Sequence, residues 1–172
     1  VYRRMGMRAA VGMIVLEFPT PYARDADEYL RRGLAVADAV NGDPLIHTCF
    51  APHAPYTVSD DTFRTVVELA DKHDWLIHCH IHETAFEVES SVKEHGKRPL
   101  ARLDDLGVLN SRLIAAHMVH TNAEEVALAA ERGISVAHNP ASNMKLASGC
   151  APIQAMLDAG VNVGLGTDGA AS

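Results

Sequence analysis

Short apolar runs rich in β-branched residues alternate with longer stretches of helical periodicity along the whole chain. The first run, residues 10–16, closes on Glu17 and opens into Phe18-Pro-Thr-Pro21. Residues 25–40 then place Ala26, Leu30, Leu34 and Ala37 on one helix face, and Asn41-Gly42-Asp43-Pro44 stops the helix. The second run, residues 45–50, leads into Ala51-Pro-His-Ala-Pro-Tyr56. Ser59 is suited to cap the next helix, whose apolar stripe is Phe63, Val66, Val67 and Ala70. The third run, residues 76–80, precedes helical segments over 85–95 and 99–106, the second starting at Pro99. Runs four to six cover 113–116, 134–137 and 161–165. Between them lie a helix capped by Thr121 or Asn122 that stops at Gly133, and another over 152–159 that ends at Gly160.

The runs close on polar residues: Glu17, His53, His80, His117, His138 and Asp168. Five intervals carry the chain from Glu17 to Asp168, about 30 residues each, which matches ~250 residues shared among eight βα units. Strands and helices alternating at this spacing predict an α/β fold with a parallel sheet. A doubly wound open sheet would concentrate chemistry at one or two strand ends. Here nearly every strand end carries a candidate ligand or acid, so the expectation is a (β/α)8 TIM-type barrel. Residues 1–172 are read as one partial barrel domain. The chain begins at Val1 and stops just after a Thr-Asp-Gly turn, with no capped helix at either end, which predicts a piece of a longer protein.

Composition narrows the function classes. A net charge of −7 argues against binding a nucleic-acid backbone. No apolar run reaches the length of a membrane span, and no signal-peptide pattern is present. The three cysteines, Cys49, Cys79 and Cys150, are scattered and unpaired in pattern, as reduced thiols in a cytoplasmic protein would be. The ten histidines are the compositional oddity, because several collect at strand ends.

The densest chemistry lies in Leu76-Ile-His-Cys-His-Ile-His-Glu-Thr84. On a strand, His78 and His80 share one face and Cys79 takes the other, toward the core. His80 then offers a metal ligand, and Glu83, just past the strand end, can move protons without ligating. Asp168, in Gly-Leu-Gly-Thr-Asp-Gly, can bind a metal and accept a proton from water. His117 can be a ligand, an imidazole that polarises the attacking water, or a helix cap. His53, between two prolines, either contacts substrate or merely sits in a stiff turn. His120 and His82 read as structural, Lys145 as solvated, and Met5, Met7 and Met13 as core or helix-facing residues. His138 with Asn139, Ser142 and Asn143 forms a donor-rich polar loop. Neither a Walker loop nor a dinucleotide fingerprint nor a GxSxG elbow occurs. Hydrolysis by a metal-activated water is the chemistry left.

His80-Ile-His-Glu83, Ala116-His-Met-Val-His120, His138-Asn-Pro-Ala-Ser-Asn-Met-Lys-Leu146 and Gly166-Thr-Asp-Gly169, in this order, resemble the amidohydrolase superfamily. Within it they look like the branch of 5-methylthioadenosine/S-adenosylhomocysteine deaminases and triazine hydrolases. The resemblance implies one divalent metal, usually Zn2+, held by two strand-one histidines, a strand-five histidine and a strand-eight aspartate. His80 and Asp168 match the last two. Glu83 matches the acid that shuttles protons to the substrate ring. His53 matches a substrate-contacting histidine, and His117 the strand-six histidine near the attacking oxygen. Glu83 and Asp168 thus count as substrate-binding as well as catalytic. The strand-one His-x-His pair is absent, so the resemblance implies a chain covering about strands three to eight, inactive by itself.

The implied reaction is hydrolytic deamination of an adenosine-type nucleoside to the inosyl product and ammonia. Alternatives are triazine dechlorination or deamination, guanine deamination, or a non-catalytic purine-binding fragment. The resemblance also implies a small-molecule nucleoside partner and a homo-oligomer.

Overall fold

The structure is a computed structural model that describes residues 1–171. Among them, six parallel strands alternate with helices: β1 Ala9–Val15, β2 Ile46–Pro52, β3 Ile77–Ile81, β4 Leu113–His117, β5 Ser135–His138 and β6 Asn162–Leu165. The helices are α1 Tyr2–Met5, α2 Ala26–Val40, α3 Asp60–His73, α4 Ala85–His95, α5 Pro99–Asp105, α6 Ala123–Arg132, α7 Pro140–Lys145 and α8 Ile153–Asp158. The fold is α/β, with strand following strand through helical crossovers as a barrel sequence requires.

Residues 1–53 and 57–78 form one compact unit, and residues 54–56 and 79–171 a second. In the first, β1 pairs in parallel with β2 from Ala9↔Ile46 to Val15↔Pro52, and β2 meets the start of β3 at Phe50↔Ile77. Its core holds Met13, Val15, Tyr29, Phe50, Phe63, Val66 and Ile77. Tyr29 is fully buried, and its phenol oxygen bonds the Thr20 hydroxyl at 2.6 Å. Asp25 and Ser59 cap α2 and α3, each accepting the backbone N–H three residues on.

In the second unit the remainder of β3 is followed by β4, β5 and β6, with β4–β5 and β5–β6 in parallel register. Its core holds Ile81, Leu100, Leu103, Leu113, Met118, Ile134 and Met156. Asn122 rather than Thr121 caps α6, and Glu125 answers it in a reciprocal capping box.

Three expectations shift. The polar loop after His138 is instead a single helical turn, α7, because Pro140 at its first turn sets φ for a helix. Residues 2–5 form one further helical turn, closed by Gly6 in the left-handed region. Met5 and Met7 are exposed, and only Met13 of the three packs in the core. Cys79 lies in the core as expected.

Gly33 lets α2 approach β1, since a Cβ there would lie 2.9 Å from the Met13 Cβ. Alanine is favoured over glycine within a helix by about 1 kcal/mol. Overpacking a tight contact costs about 1–3 kcal/mol. The contact is expected to win, so Gly33→Ala lowers the urea midpoint, whereas a raised midpoint would mean that β1 yields freely.

Candidate metal centre and proton-transfer site

Strand ends of the second unit bring three possible ligands together. Nitrogens of His80 and His117 and a carboxylate oxygen of Asp168 all lie within 4.8 Å of one another. His80 ends the exposed side of β3, and its ring stacks on that of His117, centroids 5.5 Å apart. His117 is fully buried at the end of β4. Its Nδ1–H donates to Asn143 Oδ1 at 2.8 Å, which leaves Nε2 to face the cluster. That Nε2 is buried with no hydrogen-bond partner. The carboxylates it faces are Glu83 Oε2 at 3.7 Å and Asp168 Oδ2 at 3.8 Å. An orphaned imidazole nitrogen faced by a second imidazole and two carboxylates fits a borderline divalent cation such as zinc.

The helical turn α7 fixes two members of this group. Asn143 holds His117, and the neighbouring Ser142 Oγ–H donates to Asp168 Oδ2 at 2.7 Å. The Gly169 N–H donates to the other Asp168 oxygen at 2.8 Å. Gly166 admits this geometry, because a Cβ there would collide with Asn139 Oδ1. The Gly166 N–H also donates to His138 O at 2.8 Å. His138 Nδ1 is buried without a partner, and burial, then the nearby His117, lowers its pKa.

The backbone at the site is strained. His82, His117, Met118 and Asp168 are non-glycine residues with φ of 56°, 73°, 50° and 58°. Such conformations cost roughly 1–3 kcal/mol each and persist where surrounding contacts enforce them. Around His82 three groups are engaged, while its ring Nδ1 is buried without a partner. Its N–H donates to Glu87 Oε1 at 2.8 Å, its carbonyl accepts from His120 N, and its Nε2 accepts from Leu100 N. The Glu83 N–H donates to the second Glu87 oxygen at 2.9 Å. Burial raises the Glu87 pKa to about 7, against the lowering effect of the His82 and Glu83 N–H groups. Burial lowers that of His82 to about 4, with Glu125 acting against it and Arg98 and His120 adding to it.

Other residues fall outside the cluster. His53 follows β2 in the first unit, where its Nδ1 bonds the Thr57 hydroxyl at 3.0 Å. His120 is a structural link through Nε2 to Ser148 O, and Lys145 is exposed and bonds Ala171 O. Ser142 and Asn143 stood out in the sequence only as loop donors. Glu87 and the close approach at Gly166 were missed. The Thr84-x-x-Glu87 spacing, a helix-start pattern, is the signal that finds Glu87.

Residues 2–172 match the model of the Amidohydrolase family. A 5-methylthioadenosine/S-adenosylhomocysteine deaminase from Teredinibacter turnerae is 48% identical over 98% of this chain. The chain spans 38% of that relative's length. An adenosine deaminase from Xanthomonas campestris, solved with bound zinc, superposes with TM-score 0.97 at 53% identity. The match covers 99% of this chain and 39% of that one. An atrazine chlorohydrolase from Arthrobacter aurescens complexed with zinc gives TM-score 0.89 at 26% identity, over 99% of this chain and 40% of the other.

Removing the Asn143 acceptor by Asn143→Ala frees the His117 ring. Loss of such a supporting bond lowers metal affinity by about 10–100-fold, which chelator competition with zinc measures; unchanged affinity would remove His117 from the metal's surroundings.

Titration of the second unit gives a further expectation. The raised Glu87 pKa favours the protonated fold, a contribution complete below pH 4.5 and lost as pH rises to about 7. His82 works oppositely, contributing above pH 6.5 and losing that as pH falls to about 4. Glu87→Gln therefore loses about 3 kcal/mol relative to wild type between pH 7 and 4.5. Urea unfolding at both pH values checks it, and parallel curves for the two proteins would refute it.

Proposed function

The chain belongs to the amidohydrolase family, and on that premise we propose that it forms the proton-transfer half of a hydrolytic deaminase acting on adenosine-type nucleosides. The observation that carries this reading is the buried, unpartnered His117 Nε2 facing Glu83, Asp168 and His80. His80 and Asp168 would hold one divalent metal, zinc by its donor set, with His117, a possible ligand by sequence, as a third donor whose nitrogen lies near theirs. Such a metal supplies Lewis-acid activation, lowering the pKa of water toward neutrality.

The protein's own groups then divide the work. Asp168, oriented by Ser142 and Gly169, takes a proton from the attacking water. The buried His117 Nε2, without a partner in the protein, hydrogen-bonds that water. Glu83 protonates the purine ring nitrogen beside the carbon that bears the amine, so that carbon accepts the oxygen. Proton return to the amine releases ammonia. His53, in Ala-Pro-His-Ala-Pro-Tyr, is assigned to substrate contact by its match to the family's substrate-contacting histidine. 5-Methylthioadenosine and S-adenosylhomocysteine are the substrates favoured, because the relative of 48% identity carries that name.

The test is ammonia release by the intact, zinc-loaded protein with 5-methylthioadenosine, S-adenosylhomocysteine, adenosine, guanine and a chlorotriazine in parallel. Turnover of the thioadenosines is expected, with Glu83→Gln losing at least about 100-fold in kcat. Activity on guanine or the triazine alone would discard the nucleoside. Full turnover by Glu83→Gln would discard the assigned roles.

A further inference from the structure

Two helices of the second unit begin with the same type of sequence signal and use it differently. In α6, Asn122 accepts the Glu125 N–H, and Glu125 reaches back to the Asn122 N–H at 3.0 Å. This closes an ordinary capping box. In α4, Thr84 accepts the Glu87 N–H at 3.2 Å, yet Glu87 passes over the Thr84 N–H. Its two oxygens instead take the N–H groups of His82 and Glu83. Glu87 is only 2% exposed, so the carboxyl is taken out of water to make these bonds.

The tie falls on the one backbone segment from which the Glu83 side chain departs. His82 stands in the left-handed region and is buried at 0% exposure. Its carbonyl and ring are held by His120 N and Leu100 N, but neither bond reaches Glu83. The carboxylate of Glu87 alone among these contacts grips the Glu83 peptide itself. An amide side chain there would present a donor to one of two donors.

We infer that Glu87 is a positioning residue for proton transfer, fixing the Glu83 backbone so that its carboxyl meets the reacting ring nitrogen in line with His117. The inference rests on the deaminase reading, in which Glu83 is the acid. Glu87 touches neither substrate nor metal ligand and acts through Glu83.

The experiment compares kcat, KM and zinc content for 5-methylthioadenosine deamination by the intact, zinc-loaded wild type, Glu87→Gln, Glu83→Gln and Ser91→Ala. Ser91 is buried on the same helix and bonds Lys97 O, so its loss reports destabilisation of α4 alone. A misplacement near 1 Å costs about 100-fold. Glu87→Gln is therefore expected to lose roughly that in kcat, with KM and zinc content kept and Ser91→Ala at wild-type rate. Unchanged kcat in Glu87→Gln, a rise in KM instead, or an equal loss in Ser91→Ala would overturn the inference. Should Glu87→Gln not fold, Glu87→Asp keeps the charge but shortens the reach; it must show the same split, and a wild-type kcat overturns the inference. Turnover retained by Glu83→Gln would instead overturn the deaminase reading, which separates the two failures.

Discussion

A buried imidazole has to satisfy two nitrogens, and His117 can satisfy only one within the protein. Asn143 takes the first. The second is left facing two carboxylates and another imidazole, which is unfavourable unless something positive or proton-bearing sits among them. The surrounding architecture serves this arrangement. β4 ends in left-handed residues that swing the ring inward, α7 brings Asn143 beneath it, and Gly166 lets the end of β6 come close enough to deliver Asp168.

The same logic governs the segment after β3. Its strained His82 would relax if its N–H, carbonyl and ring were not each engaged. Bonds to two helices and one loop hold it, and the Glu83 backbone follows directly from it. Opposed titrations of His82 and Glu87 follow from burying an imidazole and a carboxyl side by side, and they keep the segment's stability level through mildly acidic pH.

The fold was legible because its signals are periodic and local. Residues 76–80 and 113–116 announced strands by apolar, β-branched content, and Asp25, Ser59 and Asn122 announced helix starts. His80, Glu83, His117 and Asp168 stood out because polar residues at strand ends break an apolar pattern. What stayed hidden depends on tertiary distance. Nothing in the spacing of Ser142 and Asn143 tells which partners they grip, since Asp168 and His117 are remote in sequence. Glu87 looked like a capping glutamate, and only the backbone path of His82 shows that its oxygens go elsewhere. The helical turn at Pro140 was obscured by its asparagines and serine, which favour loops by propensity.

One short turn of helix, α7, grips both the imidazole on β4 and the aspartate after β6 through adjacent side chains. Movement of that turn displaces the two together, so the imidazole and the carboxylate behave as a single mechanical part. Substitutions on segments that do not pull on this turn leave the spacing of the two groups unchanged. The cluster is thereby insulated from changes elsewhere on the scaffold, which reach it only if they shift α7 itself.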